Sequence, residues 1–343
     1  MVPPHLHAAP TVSPRGGEPG TARPIFRHVM ACIDHSVDAR RVLQQAATIA
    51  ELSGAELTAL RVLPTVRDER YADPVEWELS RREENAYLRR VARDLDAPET
   101  MKTAIMTGCQ AARCILDAAR ESGADLVVLG AGARENPRGW GLGGTARHVA
   151  EDFDRSVLIV PEGPWETRPA DALPRRILVP LDGSARAEAA LRIAAAIAPK
   201  RAAELVLVHA VPQIELHTEG PEAPEDEALR DRLTRRAEHI AKTRLDRLRR
   251  LLPADTIRSR VRMLSGEEPR RALARTLLEE EGELVVLAAR GTGSDPDLPI
   301  GSTADYLLSH AVSPVLLVRS AEPMSHRTAG SAPRRRPTVR GGS

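Results

Sequence analysis

The stretch "RRILVPLDGSARAEAALRIAAAIA", Arg175 to Ala198, decides the fold, because "RHVMACIDHSVDARRVLQQAATIA", Arg27 to Ala50, follows the same plan. Each opens on an apolar run that ends in an aspartate, Asp182 or Asp34, and continues into small and aliphatic residues. In the earlier copy Ala39, Val42, Leu43, Ala46, Ala47 and Ala50 recur at helical spacing. Strand, acidic turn and helix are written twice, so the chain is read first as a duplication.

The repeat continues downstream. "ADLVVLGAGARENPRGWGLGGTARHV" from Ala124 aligns without a gap on "GELVVLAARGTGSDPDLPIGSTADYL" from Gly282. One offset relates Gly108 to Gly266, Gly143 to Gly301 and Thr145 to Thr303, which chance enrichment in Ala and Leu cannot produce. The second copy is longer, and its extra residues are expected in the acidic segment "EGPEAPEDEA", Glu219 to Ala228, ahead of its second helix.

Each copy reads as alternating strand and helix. "HVMACID", "LTALRVL", "TAIMTG", "ADLVVLG" and "SVLIV" are strands of the first; "RILVPLD", "ELVLVHA", "SRVRML", "ELVVLAA" and "PVLLV" are those of the second. Strands this apolar are buried on both faces, which implies parallel sheets joined by right-handed helical crossovers. The expected fold is two tandem flavodoxin-like α/β domains, each a five-stranded parallel sheet of order 3-2-1-4-5 with helices on both faces. The expected boundaries are a disordered tail over 1–24, domains over 25–161 and 175–319, a linker over 162–174, and a disordered basic tail over 320–343. "SVLIV" and "SPVLLV" would both lie at sheet edges, and bare apolar edges invite aggregation. The two edges are therefore expected to meet within the chain as an internal pseudo-dimer, with a further homodimer left open.

In such sheets a ligand sits beyond the carboxyl ends of the strands, where the strand order reverses. Here that is the crevice between strands 1 and 4 of each copy. The acidic turns carrying Asp34 and Asp182 reach it, as do the glycine-rich loops ending at Gly143 and Gly301. Glycine lets backbone N–H groups approach phosphate oxygens, and a helix start adds free donors and the positive end of a dipole. Each aspartate could equally close a turn, and Ser36 and Ser184 read more readily as helix N-caps than as ligands. Ser302 or Thr303 would also serve as an N-cap, so a hydroxyl there marks a helix start before it marks a ligand site. His209 in "VLVHA" reads as a packed, hydrogen-bonded histidine rather than a base.

Composition narrows the partners. A net charge of +1 over 343 residues offers nothing to a polyanion or a membrane surface. Aromatic residues make up 2%, too few for the stacking platforms of single-strand nucleic-acid binders. No run reaches the roughly 20 apolar residues that span a bilayer, and the expected location is the cytoplasm. Cys32, Cys109 and Cys114 form no CxxC pair, so Cys109 and Cys114 are read as buried small hydrophobes rather than as a disulfide or zinc pair. "VVLGAGA" resembles a dinucleotide fingerprint but lacks its third glycine and follows the wrong strand. There is no GxxxxGK[ST], GxSxG or HExxH motif, and no nucleophile–base constellation is evident.

The ordered set of motifs resembles a tandem universal stress protein. "ILVPLDGS" is similar to that family's first strand and acidic turn, and "LVLVHA" to its second strand. The loops resemble its pattern of Gly, two residues, Gly, nine residues, then Gly-Ser or Gly-Thr. The resemblance covers both copies and leaves out the tails. It implies a flavodoxin-like fold, dimerisation, a regulatory role in stress survival, and in one branch ATP binding, with Mg²⁺ and at most slow, incidental hydrolysis. Carried onto this chain, the nucleotide-contacting set is Asp34, Ser36, Gly130, Gly132, Arg134, Gly143, Gly144 and Thr145 in the first copy. In the second it is Asp182, Gly183, Ser184, Gly291, Gly301, Ser302 and Thr303. Neither loop matches fully: Ala288 stands at the first glycine position of the second copy, and Ala133 at the second glycine position of the first. An alanine at negative φ leaves such a site open; one at positive φ closes it. Arg134 and Arg138 could meet phosphates, whereas Asp295 and Asp297 would repel them unless Mg²⁺ intervened. The alternative is a universal stress protein without nucleotide, acting as a dimeric protein-interaction scaffold.

Overall fold

The computed structural model describes residues 24–63, 74–95, 97–107, 110–132, 141–162, 175–212, 214, 224–295 and 297–319. The first copy runs β1 (His28–Cys32), α1 (Ala39–Ser53), β2 (Glu56–Val62), α2 (Pro74–Arg93), β3 (Lys102–Met106), α3 (Ala111–Ser122), β4 (Leu126–Gly130), α4 (Gly144–Asp152) and β5 (Ser156–Val160). The second runs β6 (Arg176–Pro180), α5 (Ala185–Ile197), β7 (Glu204–Ala210), α6 (Pro224–Leu251), β8 (Arg258–Leu264), α7 (Pro269–Glu279), β9 (Leu284–Ala288), α8 (Ser302–His310) and β10 (Val315–Val318). The tails and linker expected from the sequence lie almost wholly outside the described residues.

All ten strands join one sheet of order β3-β2-β1-β4-β5-β10-β9-β6-β7-β8. Read from either outer edge inwards, each copy has the expected order 3-2-1-4-5. Pairing is parallel throughout each copy, as in β1 with β4 and β6 with β9. The single change of direction is at the seam, where β5 and β10 pair antiparallel with Leu158 opposite Leu316. The two apolar edges therefore cover one another, and the halves share a continuous core.

Alternation along the strands feeds two apolar layers. One contains Leu158, Leu316, Ile177 and Leu205 under α1, α2, α5 and α6. The other contains Val157, Ile159, Val315 and Leu317 under α3, α4, α7 and α8. Both layers draw residues from both copies, so the seam is core rather than surface.

The extra length of the second copy is only partly a connection. Its helix α6 has 28 residues where α2 has 20, and "PEDEA", Pro224 to Ala228, opens that helix. Pro at the first helical position and three acidic residues in the first turn suit a helix N-terminus, which is why the segment is helical rather than loop. Among the described residues no helix is long and apolar enough to cross a membrane.

Candidate functional site

The second-copy crevice is built from the end of β6, the loop after β9 and the start of α8. Asp182 follows β6 and stays solvent-accessible. One of its carboxylate oxygens accepts from the Ser184 amide at 2.9 Å and the Ser184 hydroxyl at 2.8 Å. The other accepts from the Thr292 amide in the glycine loop. Partial burial by itself would push this carboxyl up; the Ser184 and Thr292 donors outweigh it and hold the carboxyl below its ordinary value. The acidic turn and the glycine loop thus latch to each other across the point where the strand order reverses.

Two glycines make this latch possible for different reasons. Gly183 has φ +88°, a conformation L side chains rarely adopt, and it turns the chain from Asp182 straight into α5. Gly291 has no such φ; a Cβ there would land on the Asp182 carboxylate, so the position needs glycine for close approach. Ala288 lies inside β9 and is not among the positive-φ residues, so its replacement of glycine does not close the crevice.

The loop ends where Gly301 donates to the Ala289 carbonyl at 2.8 Å. Gly301 is the N-cap of α8 and no side chain caps that helix. Ser302 and Thr303 are its first two residues, so neither hydroxyl plays the capping role open to it in the sequence. Uncapped first-turn N–H groups and a pair of hydroxyls at a helix start suit an anion. Within the loop Ser294 donates to the Gly291 carbonyl at 2.8 Å, and the Asp297 amide donates to Asp295 at 2.9 Å. Both aspartates are exposed.

The first copy preserves part of this frame. Gly130 ends β4, Gly132 follows it, and Gly143 caps α4 while donating to the Ala131 carbonyl at 2.7 Å. Gly144 and Thr145 are the first two residues of α4. Arg134, Arg138 and Ala133 lie outside the described residues. Asp34 accepts from the Ser36 amide at 2.9 Å, as Asp182 does from Ser184.

The two serines then diverge. Ser184 caps α5, accepting from the Ala187 amide at 3.1 Å, as expected. Ser36 caps nothing: α1 begins at Ala39 with Asp38 as N-cap. The physical reason is the residue between aspartate and serine. Gly183 occupies that place in the second copy; His35 occupies it in the first and is not among the positive-φ residues, so the chain needs a longer turn. His35 instead packs its ring at a tilt of 50° against Tyr87 of α2 and bonds Glu84 at 3.0 Å, and the Tyr87 hydroxyl donates to the Asp34 carbonyl at 2.8 Å.

Other expectations sort as follows. His209 is held through Nδ1 to the Leu181 carbonyl at 2.5 Å, a packed histidine beside the acidic turn. Cys114 is buried as expected but disulfide-bonded, which corrects its reading as a small hydrophobe outside any disulfide; Cys32 is free, and Cys109 lies outside the described residues. No three His, Cys, Asp or Glu among the described residues are grouped to hold a metal ion. One residue was invisible to motif reading: Arg244 of α6 places its guanidinium against Gly183 and bonds Glu188 at 3.2 Å. It is one of many arginines on that helix, and only the tertiary fold selects it.

Comparison with known proteins agrees with this architecture. A model of the universal stress protein family matches residues 25–161 and again 174–319. Over 149 residues the chain is 34% identical to a universal stress protein of Thermus aquaticus, covering 42% of this chain and 98% of that protein. The crystal structure of a universal stress protein from Archaeoglobus fulgidus superposes with a TM-score of 0.56 at 19% identity, over 86% of this chain and 97% of that one. A functionally unknown protein from Pseudomonas aeruginosa PAO1 gives 0.60 at 18% identity, over 85% and 92% respectively. At these identities the two structures speak for the fold alone.

Proposed function

This chain belongs to the universal stress protein family, and we propose that it is a stress-response regulatory protein that binds an adenine nucleotide, ATP foremost, at the second-copy crevice. The observation that carries the reading is the contact between Asp182 and the Thr292 amide, which holds an acidic turn against a glycine loop beside an uncapped helix start. Phosphate would lie against the Gly301–Thr303 amides and hydroxyls, with Gly291 keeping the backbone close. Asp182 would face the ribose. Since that carboxylate can hold either the Thr292 amide or a sugar hydroxyl, occupancy and loop position would be linked. Asp295 and Asp297 oppose a triphosphate in charge, and Mg²⁺ carried in with the phosphates would offset them. The role proposed is sensing rather than catalysis, with any hydrolysis slow and incidental.

Equilibrium dialysis of the full chain with labelled ATP and Mg²⁺ tests this. Saturable binding that weakens about tenfold or more in Gly291→Val is expected, because the new side chain displaces Asp182 or the loop. No binding at millimolar nucleotide rules the proposal out.

The seam favours one alternative, a scaffold that works through protein contacts alone. A Gly291→Val chain that loses ATP yet keeps full activity in a stress-survival assay would select it.

A further inference from the structure

The sheet ends at β3 on one side and at β8 on the other. Each terminal strand leaves a row of backbone N–H and C=O groups without a sheet partner. In β3 the Met106 carbonyl accepts from the Leu63 amide at the end of β2, and alternation then turns the peptide groups of Thr103 and Ile105 outward. At the opposite edge the Arg258, Arg260 and Arg262 guanidiniums of β8 are taken up by the Ala202 carbonyl, Glu280 and Glu279. The β3 edge differs, because its arginines stand on the helix beside it.

Thr103 and Ile105 also form one wall of a groove of about 640 Å³ whose other wall is α2. The Thr103 hydroxyl donates to Asn85 at 3.0 Å and ties strand to helix there. Arg81, Arg82, Arg89 and Arg93 line the groove from one face of α2. Glu78 is the one carboxylate in the lining, and Arg81 and Arg82 share it at 2.9 and 3.0 Å. Arg89 and Arg93 are exposed and meet no carboxylate among the described residues. Four guanidiniums against one carboxylate leave a local excess of positive charge that the chain-wide net charge of +1 conceals. No aromatic side chain lines the groove.

We propose that this groove binds an acidic peptide in extended form, added to the β3 edge as a further strand, with alternate carboxylates on the α2 arginines. The outward peptide groups of Thr103 and Ile105 supply main-chain partners, and the guanidiniums select carboxylates. The spacing agrees with that arrangement. Alternate side chains of a strand lie about 7 Å apart, and Arg89 and Arg93 are separated by about 6 Å of helix rise. A pattern of acidic residues at every second position therefore suits the groove better than a run of adjacent ones. The absence of aromatic lining leaves nothing for nucleic-acid bases to stack on, which favours a peptide over a single strand of RNA or DNA. The proposal is independent of nucleotide binding in the second copy.

Fluorescence anisotropy of the full chain tests it, with a fluorescein-labelled peptide of alternating Glu and Val about eight residues long. Saturable binding is expected, weakening about tenfold or more in Arg89→Glu with Arg93→Glu. Both arginines are exposed, so circular dichroism of that variant should stay native. A peptide of the same composition with its Glu residues in one block should bind about fivefold more weakly, because adjacent side chains of a strand point to opposite faces. As a second measurement, the Ile105 amide should exchange quickly in the free chain and become protected when the alternating peptide is added. No binding of that peptide, equal binding of the two peptides, or unchanged binding by the charge variant overturns the proposal. So does an Ile105 amide that stays unprotected in the complex. A single-stranded oligonucleotide of equal charge that binds more tightly than the peptide overturns it too, and assigns the arginines to nucleic acid.

Discussion

Arg147 of α4 donates to Asp305 of α8 at 2.8 Å, and the two residues, 158 positions apart, are the same position of the repeat. Equivalent residues meet only on a pseudo-two-fold axis. Two identical copies would set arginine against arginine or aspartate against aspartate there, so the tandem chain gains a complementary pair by letting its halves differ. A second such meeting lies on the other face, where Lys200 donates to the Leu52 carbonyl near the end of α1. Arg319, just past β10, likewise donates to the carbonyls of Ala150 and Glu151 at the end of α4. Cations at helix C-termini complement the helix dipole.

Arg147→Asp should set two carboxylates face to face and lower the melting temperature. The pair is partly exposed, so the loss should be about 1 kcal/mol at low salt and smaller at high salt. The exchange Arg147→Asp with Asp305→Arg should recover the native value. Differential scanning calorimetry of the three chains measures this, and a double exchange no better than the single one contradicts the pairing.

Leu158 and Leu316 oppose each other at the seam with no exposed surface. Leu316→Ala should cost about 2–5 kcal/mol through lost burial and a cavity. Leu158→Asp with Leu316→Lys should abolish soluble folded protein, since an ion pair enclosed in an apolar layer loses more hydration than it regains. Urea denaturation of the first and gel filtration of the second read the outcomes; a soluble, native double variant would mean that the edges do not pair.

Asp182 links the loops to pH. Its folded carboxyl titrates below the ordinary 3.8, so its contribution to stability is present above that value and disappears as pH falls through the folded one. The Thr292 amide should therefore resist hydrogen exchange at neutral pH and lose that protection only in strong acid. In Asp182→Ala the same amide should exchange freely at pH 7. Equal protection in both chains would refute the latch.

Gly183→Ala should cost on the order of 1–3 kcal/mol, since the new side chain meets φ +88° and the Arg244 guanidinium together. His35→Gly should be tolerated, because the first copy already turns without a positive φ there. Chemical denaturation of both chains separates these outcomes.

Much of this molecule was legible in its residues. Ten apolar runs became ten strands because alternate side chains of each feed two covered faces, which needs no knowledge of the neighbours. The meeting of the two edge strands was legible for the same reason, since "SVLIV" and "SPVLLV" could not stay bare. The acidic turn and the glycine loop were legible as partners because strand order puts them at one end of one crevice.

Other features depended on contacts between distant segments. Sequence left open whether Ala288 blocks the crevice, whether Ser302 caps a helix, and which of many arginines reaches the acidic turn. Backbone angle decided the first, the cap at Gly301 the second, and the docking of α6 over Gly183 the third. The first turn of α6 was hidden inside what reads as an acidic connection. Local pattern specifies which residues must leave water; only the assembled fold specifies which of the remaining ones meet, because that depends on distances between segments far apart in the chain.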